Sequence, residues 1–440
     1  LPTKVCFKTL LMLLIYTQKI TPRIIYVFKH ICTHILGIPI KFTSKIEEFI
    51  AHDGAKLSYG RQALGNEFFI QNVDLLIEQG FSELEIKVQP WDDTICFFPL
   101  PEASDLPFDI FAASFYLLSR YEEYLPHVKD EEGRFPASES LASQESFLHK
   151  PVVDIWAIKF REILLNRFPK LEYSDRKYKV GTIVASENTF IFKNKGFLRS
   201  FVGMFSDLFQ FQLGKVIDRL QVWIRIKDDP HDIFEDLIDL IKQHKIYMLF
   251  MFQLSDFSLY DRNISHNRIP HRAVIKSVAD YAKVGLLMGY YAMENIKSLR
   301  KEKLRMEEII HIPVENVMNS KYNLRLPDQY NNLTELEINN DHSMGYPDVP
   351  GFRAGTCTPY LFYDINMEVT TPLKVHPYAF NSAVAEDMTK TKLKEDLARM
   401  LLEVKEVKGM FRGVFRNQDF SNYSNKEYYY SLLKQIHEIG

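Results

Sequence analysis

Asp341-His-Ser-Met-Gly-Tyr-Pro-Asp-Val-Pro-Gly-Phe-Arg-Ala-Gly-Thr-Cys-Thr-Pro-Tyr-Leu-Phe-Tyr-Asp364 is the stretch on which the fold reading turns. Its glycines fit turns that carry positive φ, which a residue without Cβ adopts at little cost. Strand and helix signals alternate on either side of it. Upstream, Tyr178 to Val184 is strand-like, 196–226 holds one or two amphipathic helices, and Asp232 to His244 is helical. Ile246 to Leu254 is an apolar run of the kind found in a strand buried on both faces. A helix at Arg272–Lys283, a strand at Val284–Met288 and a charged helix at Glu294–Ile310 follow, and Leu373–His376 and Phe411–Phe415 read as later strands. Such alternation predicts a parallel sheet, closed as a barrel or wound open.

The first part of the chain reads differently. Ile20, Ile24, Ile25, Phe28, Ile31 and Ile35 recur mostly three to four apart behind Thr21-Pro22, a helix start. Leu84, Ile86 and Val88 alternate with Glu83, Glu85 and Lys87, which predicts a half-buried strand. Helices are expected over Pro107–Tyr124 and Pro151–Phe168. The cluster Arg120, Glu122 and Glu123 is expected as a solvated or ion-paired helix face. A polar break at Pro169–Lys177 marks the domain boundary, and a small α+β unit precedes it.

At 440 residues the chain exceeds one ordinary core, so two domains are expected. A formal net charge of −3, with basic and acidic residues interspersed, argues against nucleic acid as a partner. Cys6, Cys32, Cys96 and Cys357 lie too far apart for a zinc ribbon or dithiol site, which favours reduced thiols and a cytoplasmic location. Lys4, Lys8 and the run Leu10–Tyr16 imitate a signal peptide, but no small-residue cleavage site follows and the run is too short to span a bilayer. No Gly-x-Ser-x-Gly elbow, phosphate loop or His-Glu-x-x-His is present.

With its surroundings, the quoted stretch resembles the NodB-homology polysaccharide deacetylases, in the two-part bacterial form common in Bacteroidetes. There a domain of unknown function precedes the deacetylase barrel. The likeness begins near Met12, and Ser343-Met-Gly-Tyr346 and Gly351-Phe-Arg-Ala-Gly-Thr356 match most closely. It implies an α/β fold, a distorted (β/α) barrel over 173–440 after a smaller α+β domain over 12–172, with 1–11 as an upstream extension.

Deacetylases of this class hydrolyse an N-acetyl amide with one divalent metal held by an Asp and two His, a second Asp as base and a late His as acid. On this resemblance Ala185 and Glu187 stand where the aspartate pair would be, and Leu287 and Ser320 where the histidine ligands would be. Arg416 takes the place of the acid, and Arg353 that of an arginine orienting the catalytic Asp, here expected beside Asp341 or Glu187. The reading is therefore a catalytically inactive homologue with no cofactor, retaining glycan binding or a scaffold role in envelope-polysaccharide metabolism. Tyr290, Tyr346, Phe352 and Tyr360 are its candidate sugar-stacking rings, against a competing reading as core. The alternative is an active, divergent deacetylase using a metal such as zinc on a glycan or sugar-linked precursor. Asp341, His342 and His376 are the residues from which a replacement metal site could be built. An adjacent pair and one distant His are weak evidence for one.

Overall fold

A computed structural model describes residues 12–195, 197–421 and 425–438. The stretch 1–11, with Lys4, Lys8, Cys6 and the proposed extension, lies outside the described residues, as does Gly196 at the head of the expected helices. The chain forms two compact units. One comprises residues up to Lys179 together with Gly351–Ala379 and Arg399–Met410; the other comprises Val180–Pro350, Phe380–Ala398 and the chain from Phe411 onward.

In the first unit, β1 (Leu13–Tyr16), β2 (Ile40–Thr43), β3 (Lys56–Gly60) and β4 (Phe68–Gln71) form a parallel sheet in the order β2-β1-β3-β4. The apolar run that imitates a leader supplies β1, an inner strand whose Leu13, Leu14 and Ile15 are buried. The expected helix begins as read: Thr21 Oγ1 accepts from the Ile24 N–H at 3.2 Å, with Pro22 in the first helical position. It runs over Pro22–Phe28 and continues as a π-helix over Lys29–Ile35. Phe28 stacks on Phe111, 3.5 Å between centroids. Phe111 belongs to the helix Ile110–Leu118, all of whose residues are buried, as befits a helix apolar on every side.

One expected strand does not form. Glu83–Lys87 is a loop, and only Val88 enters a strand, β5 (Val88–Trp91), which pairs antiparallel with β6 (Thr94–Phe97). Leu84 and Ile86 reach only half-burial, so their alternation has no buried face to fix it. Cys32, Cys96 and Cys357 are free and buried, and burial pushes their thiols up, that of Cys96 to about 11.

The second unit is the α/β part. β7 (Lys179–Ser186), β8 (Met248–Gln253), β9 (Lys283–Met288), β10 (Asn316–Asn319) and β11 (Asn340–Asp341) pair successively in parallel, as do the strands Phe380–Asn381 and Met410–Arg416. Across the sheet the order is β11, β10, β9, β8, β7, Met410–Arg416, Phe380–Asn381. All six residues of β8 are buried, because helices on the crossovers cover both faces of a parallel sheet. Among the described residues no helix is long and apolar enough to cross a membrane.

The return of 351–379 to the first unit rests on buried charge. Arg120, in the left-handed region at φ 55, ends the helix Ile110–Leu118. Its guanidinium donates to Glu122 and Glu123, both at 2.7 Å, and to the Arg353 carbonyl. Arg353 grips Glu123 through Nε (2.9 Å) and Nη2 (2.8 Å). The Arg/Glu cluster is thus a buried ion-paired knot rather than a solvated helix face. Arg353 pairs with Glu123 and not with Asp341 or Glu187, which corrects the role expected for it. The glycines on either side do carry positive φ, +151° at Gly351 and +63° at Gly355.

A second buried carboxylate works alongside. Asp154, fully buried, accepts from Thr356 Oγ1 (2.7 Å), the Cys357 N–H (2.9 Å), Thr358 Oγ1 (2.5 Å) and Arg176 Nη2 (2.8 Å). Burial alone would raise its pKa, but the Arg176 charge and these bonds outweigh burial and hold it below the usual range. Replacing Asp154 by Asn should cost about 3 kcal/mol of stability in urea titrations at neutral pH. A carboxylate with a depressed folded pKa stabilises above its unfolded pKa, roughly 4, and loses that contribution as pH falls through the folded value. The deficit should therefore close on acidification, and a variant as stable as wild type at neutral pH would show that this carboxylate holds nothing.

Candidate functional site

Ligands of parallel α/β sheets bind at the carboxyl ends of the strands. In the second unit, most of the charged groups there are already engaged. Glu187, just beyond β7, receives Lys321 Nζ at 3.2 Å on each oxygen. Arg416 donates to Asp419 (3.1 and 2.8 Å) and Glu386 (2.6 Å). Burial would lower its pKa, but the two carboxylates reverse this and raise it. Asn417 Nδ2 donates to the carbonyls of Asn188 (2.9 Å) and His231 (3.3 Å). Arg416 is therefore a strand-end tie, with its charge spent on carboxylates of its own unit.

The positions that the deacetylase likeness assigns to metal do not fit one. Ala185 and Leu287 are buried and offer no donor atom, and Ser320 contributes a single buried hydroxyl without a hydrogen-bond partner. Asp341 is committed to its own surroundings, accepting from Tyr330 Oη (2.6 Å), the Ser343 N–H (3.0 Å) and Ser343 Oγ (2.7 Å). Burial nonetheless raises its pKa against these bonds. His342 Nε2 lies 3.1 Å from Asn316 Oδ1, and His376 is half-buried in the first unit. Among the described residues no three His, Cys, Asp or Glu side chains gather as a metal site.

Of the four rings put forward for stacking, Tyr346, Phe352 and Tyr360 are buried and present no face to a ligand. They follow the core reading, since a ring within the packed interior is already covered on both faces. Tyr290 is half-buried, and it has company that the sequence did not disclose. Its ring stacks on Tyr260, with centroids 4.0 Å apart and planes at 15°, and stands edge-on to Tyr291 at 5.5 Å and 89°. Tyr260 and Tyr291 are each 50% exposed.

Tyr291 lines a cleft of about 320 Å³, together with Ser255, Asp256, Asp261, Glu302 and Arg305. Asp261 accepts from Gln253 Nε2 (2.6 Å) and the Tyr290 N–H (2.9 Å), and Glu302 from the Gly289 N–H (3.0 Å). A Cβ at Gly289 would lie 2.9 Å from each of those carboxylates and 2.4 Å from Ser255 Cβ, so only glycine lets them close on the backbone. Ser255 Oγ is buried without a partner. Arg305 reaches the Leu254 carbonyl (2.7 Å) and Asp256 (2.6 Å). A larger opening of about 740 Å³ lies at the opposite ends of the strands and is lined mostly by apolar side chains such as Ile246, Tyr281 and Ile312. It lacks the convergent polar groups of the smaller cleft.

Comparison with known proteins matches residues 13–169 to a family of unknown function, DUF7033. No curated protein matches the sequence. Among solved structures, the polysaccharide deacetylase Bc1974 from Bacillus cereus is similar at 9% identity and a TM-score of 0.30, over 60% of this chain and 86% of that one. BA3943 from Bacillus anthracis, a pseudoenzyme of the CE4 family, is similar at 8% identity and a TM-score of 0.30, over 60% of this chain and 62% of that one.

Glu302 offers a test of the cleft. Burial is the main cause that pushes its pKa up, to about 8, with the Gly289 hydrogen bond opposing and Asp261 adding to the rise. A carboxyl raised in the folded state stabilises fully below its unfolded pKa and loses that contribution as pH rises through the folded value. Wild type should lose stability between roughly pH 5 and 8, on the order of a few kcal/mol, where Glu302→Gln does not. Parallel melting curves for the two proteins across that range would contradict the buried, protonated carboxyl.

Proposed function

We propose that this protein is a catalytically inactive, deacetylase-like glycan-binding protein of the cytoplasm. In this reading 12–172 precedes a deacetylase-like domain over 173–440, whose parallel strands close as a distorted barrel. The observation that carries the reading is the partly exposed tyrosine cluster, Tyr260, Tyr290 and Tyr291, beside a polar cleft at the carboxyl ends of β8 and β9. A pyranose ring presents an apolar face that stacks on such tyrosines, and its hydroxyl or acetamido groups meet fixed carboxyls and an arginine alongside. Inactivity is supported by Ala185 and Leu287, which can neither hold a metal nor move a proton.

Titration calorimetry with N-acetylglucosamine oligomers should detect binding that weakens about tenfold, ~1.4 kcal/mol, in Tyr260→Ala and Tyr290→Ala. Incubation of the same oligomers with the protein and added zinc should release no acetate. Heat signals unchanged by both tyrosine variants would remove the binding site proposed here, and steady acetate release would replace the reading with that of a divergent enzyme.

A further inference from the structure

The helical hairpin after β7 is built inside out. Its helices, Phe197–Phe209 and Leu213–Trp223, carry strongly one-sided apolar patterns, which in a globular domain normally face the core. Here they face water. On the first helix Val202, Phe205 and Phe209, spaced three and four apart, are 63%, 52% and 82% exposed, with Leu208 beside them at 48%. On the second, Leu213, Ile217, Leu220 and Ile224 repeat the pattern at 57%, 55%, 44% and 65%. Phe211 in the turn is 87% exposed.

The inward side holds the polar anchor instead. Arg219 is buried, pairs with Asp207 across the hairpin at 2.5 Å and lies 4.7 Å from the centroid of the Phe192 ring. Gly203 leaves room for it, since a Cβ there would come within 3.0 Å of the guanidinium. Arg219 and Val222, the latter 1% exposed, thus face inward, and the longer apolar stripe is left for something else.

Charge identifies what that is. Residues 193–227 carry seven Lys and Arg against two Asp; Arg219 and Lys227 are taken up by those two, which leaves an excess of five in a chain whose formal net charge is −3. Of the two aspartates that follow, exposed Asp228 lies 3.7 Å from Lys193 and offsets one more charge, whereas Asp229 is buried and accepts from the N–H groups of Ile191, Phe192 and Lys193. A continuous apolar face on short helices, within a locally basic segment of an acidic protein, has the composition of an interfacial helix pair. We propose that the hairpin docks this protein onto an anionic lipid surface, with Phe205, Phe209, Phe211 and Ile217 entering the acyl boundary and the basic excess held at the headgroups. The hairpin would lie in the interface rather than cross the bilayer, and the proposal is independent of the glycan-binding reading.

The full-length protein should co-sediment with vesicles of one quarter phosphatidylglycerol in phosphatidylcholine, and far less with phosphatidylcholine alone. Replacing Phe209, Phe211 and Ile217 together by Ser should lower partitioning about tenfold or more while leaving the circular dichroism melt unchanged, since all three side chains are solvent-facing. Wild-type binding should also weaken as salt rises from about 0.05 to about 0.5 M, a readout that needs no variant. The proposal is overturned by wild type that stays in the supernatant, or by a triple variant that is folded and binds as wild type does. It is equally overturned if sedimentation equilibrium without lipid shows a dimer that the triple variant dissolves, because the face would then belong to a second copy of this chain.

Discussion

Two buried carboxylates, Glu123 and Asp154, hold the first unit together, and neither is tolerable in a protein interior without complete pairing. Glu123 meets two guanidiniums; Asp154 meets one, together with two hydroxyls and a backbone N–H. Beside the local Arg120 and Arg176, both have partners within 353–358, more than two hundred residues further along the chain. Aliphatic packing would accept many arrangements of that distant segment, but a buried charge accepts very few. The knot therefore selects which stretch of chain returns and in what register it is held. Arg23 and Glu368 add a third tie of the same kind, at 2.5 Å.

The strand ends of the second unit are paired as well, but largely at the surface, with Glu187 and Lys321 45% and 36% exposed. Glu187 with Lys321, and Arg416 with Asp419 and Glu386, are groups that chemistry could have used, and each is occupied by a neighbour. Interest moves to the edge of that surface, where Tyr260, Tyr290 and Tyr291 expose aromatic area beside carboxyls held by backbone N–H groups. Groups fixed in this way are pre-organised, so a ligand need not order them on arrival.

The larger elements were legible because hydrophobic period is a local property. β8 and β9 and the helices Val152–Arg167 and Ile296–Ile310 lie within a few residues of where the apolar pattern puts them. β1 is hard to read because four apolar residues carry no strand signal of their own, and only the strands beside it make it a strand. Glu83–Val88 failed in the opposite way, with an alternation that no partner strand rewards. Charge was the hardest to read. Arg120, Glu122 and Glu123 look like any solvated face, and Glu302 sits in a helix crowded with Lys, Arg and Glu, so nothing in its neighbours signals burial. Arg353 falls in a stretch whose resemblance places it beside Asp341 or Glu187, whereas its geometry here, on Glu123, is that of a brace.

The scattered make-up of the first unit sets a timetable for biosynthesis. Its sheet is encoded in the first seventy or so residues, but Arg353 and the donors Thr356, Cys357 and Thr358 that meet Asp154 leave the ribosome only after most of the second unit has been made, and Arg399–Met410 emerges later still. Translation adds about 5–20 residues per second. For on the order of ten seconds or more, the nascent chain therefore carries Glu123 and Asp154 without their distal partners, with the apolar surfaces they will help to seal open to solvent. An early-synthesised half that must wait for a late-synthesised brace is a natural client for chaperones that hold emerging chains, and it is poorly suited to being cut out and expressed by itself.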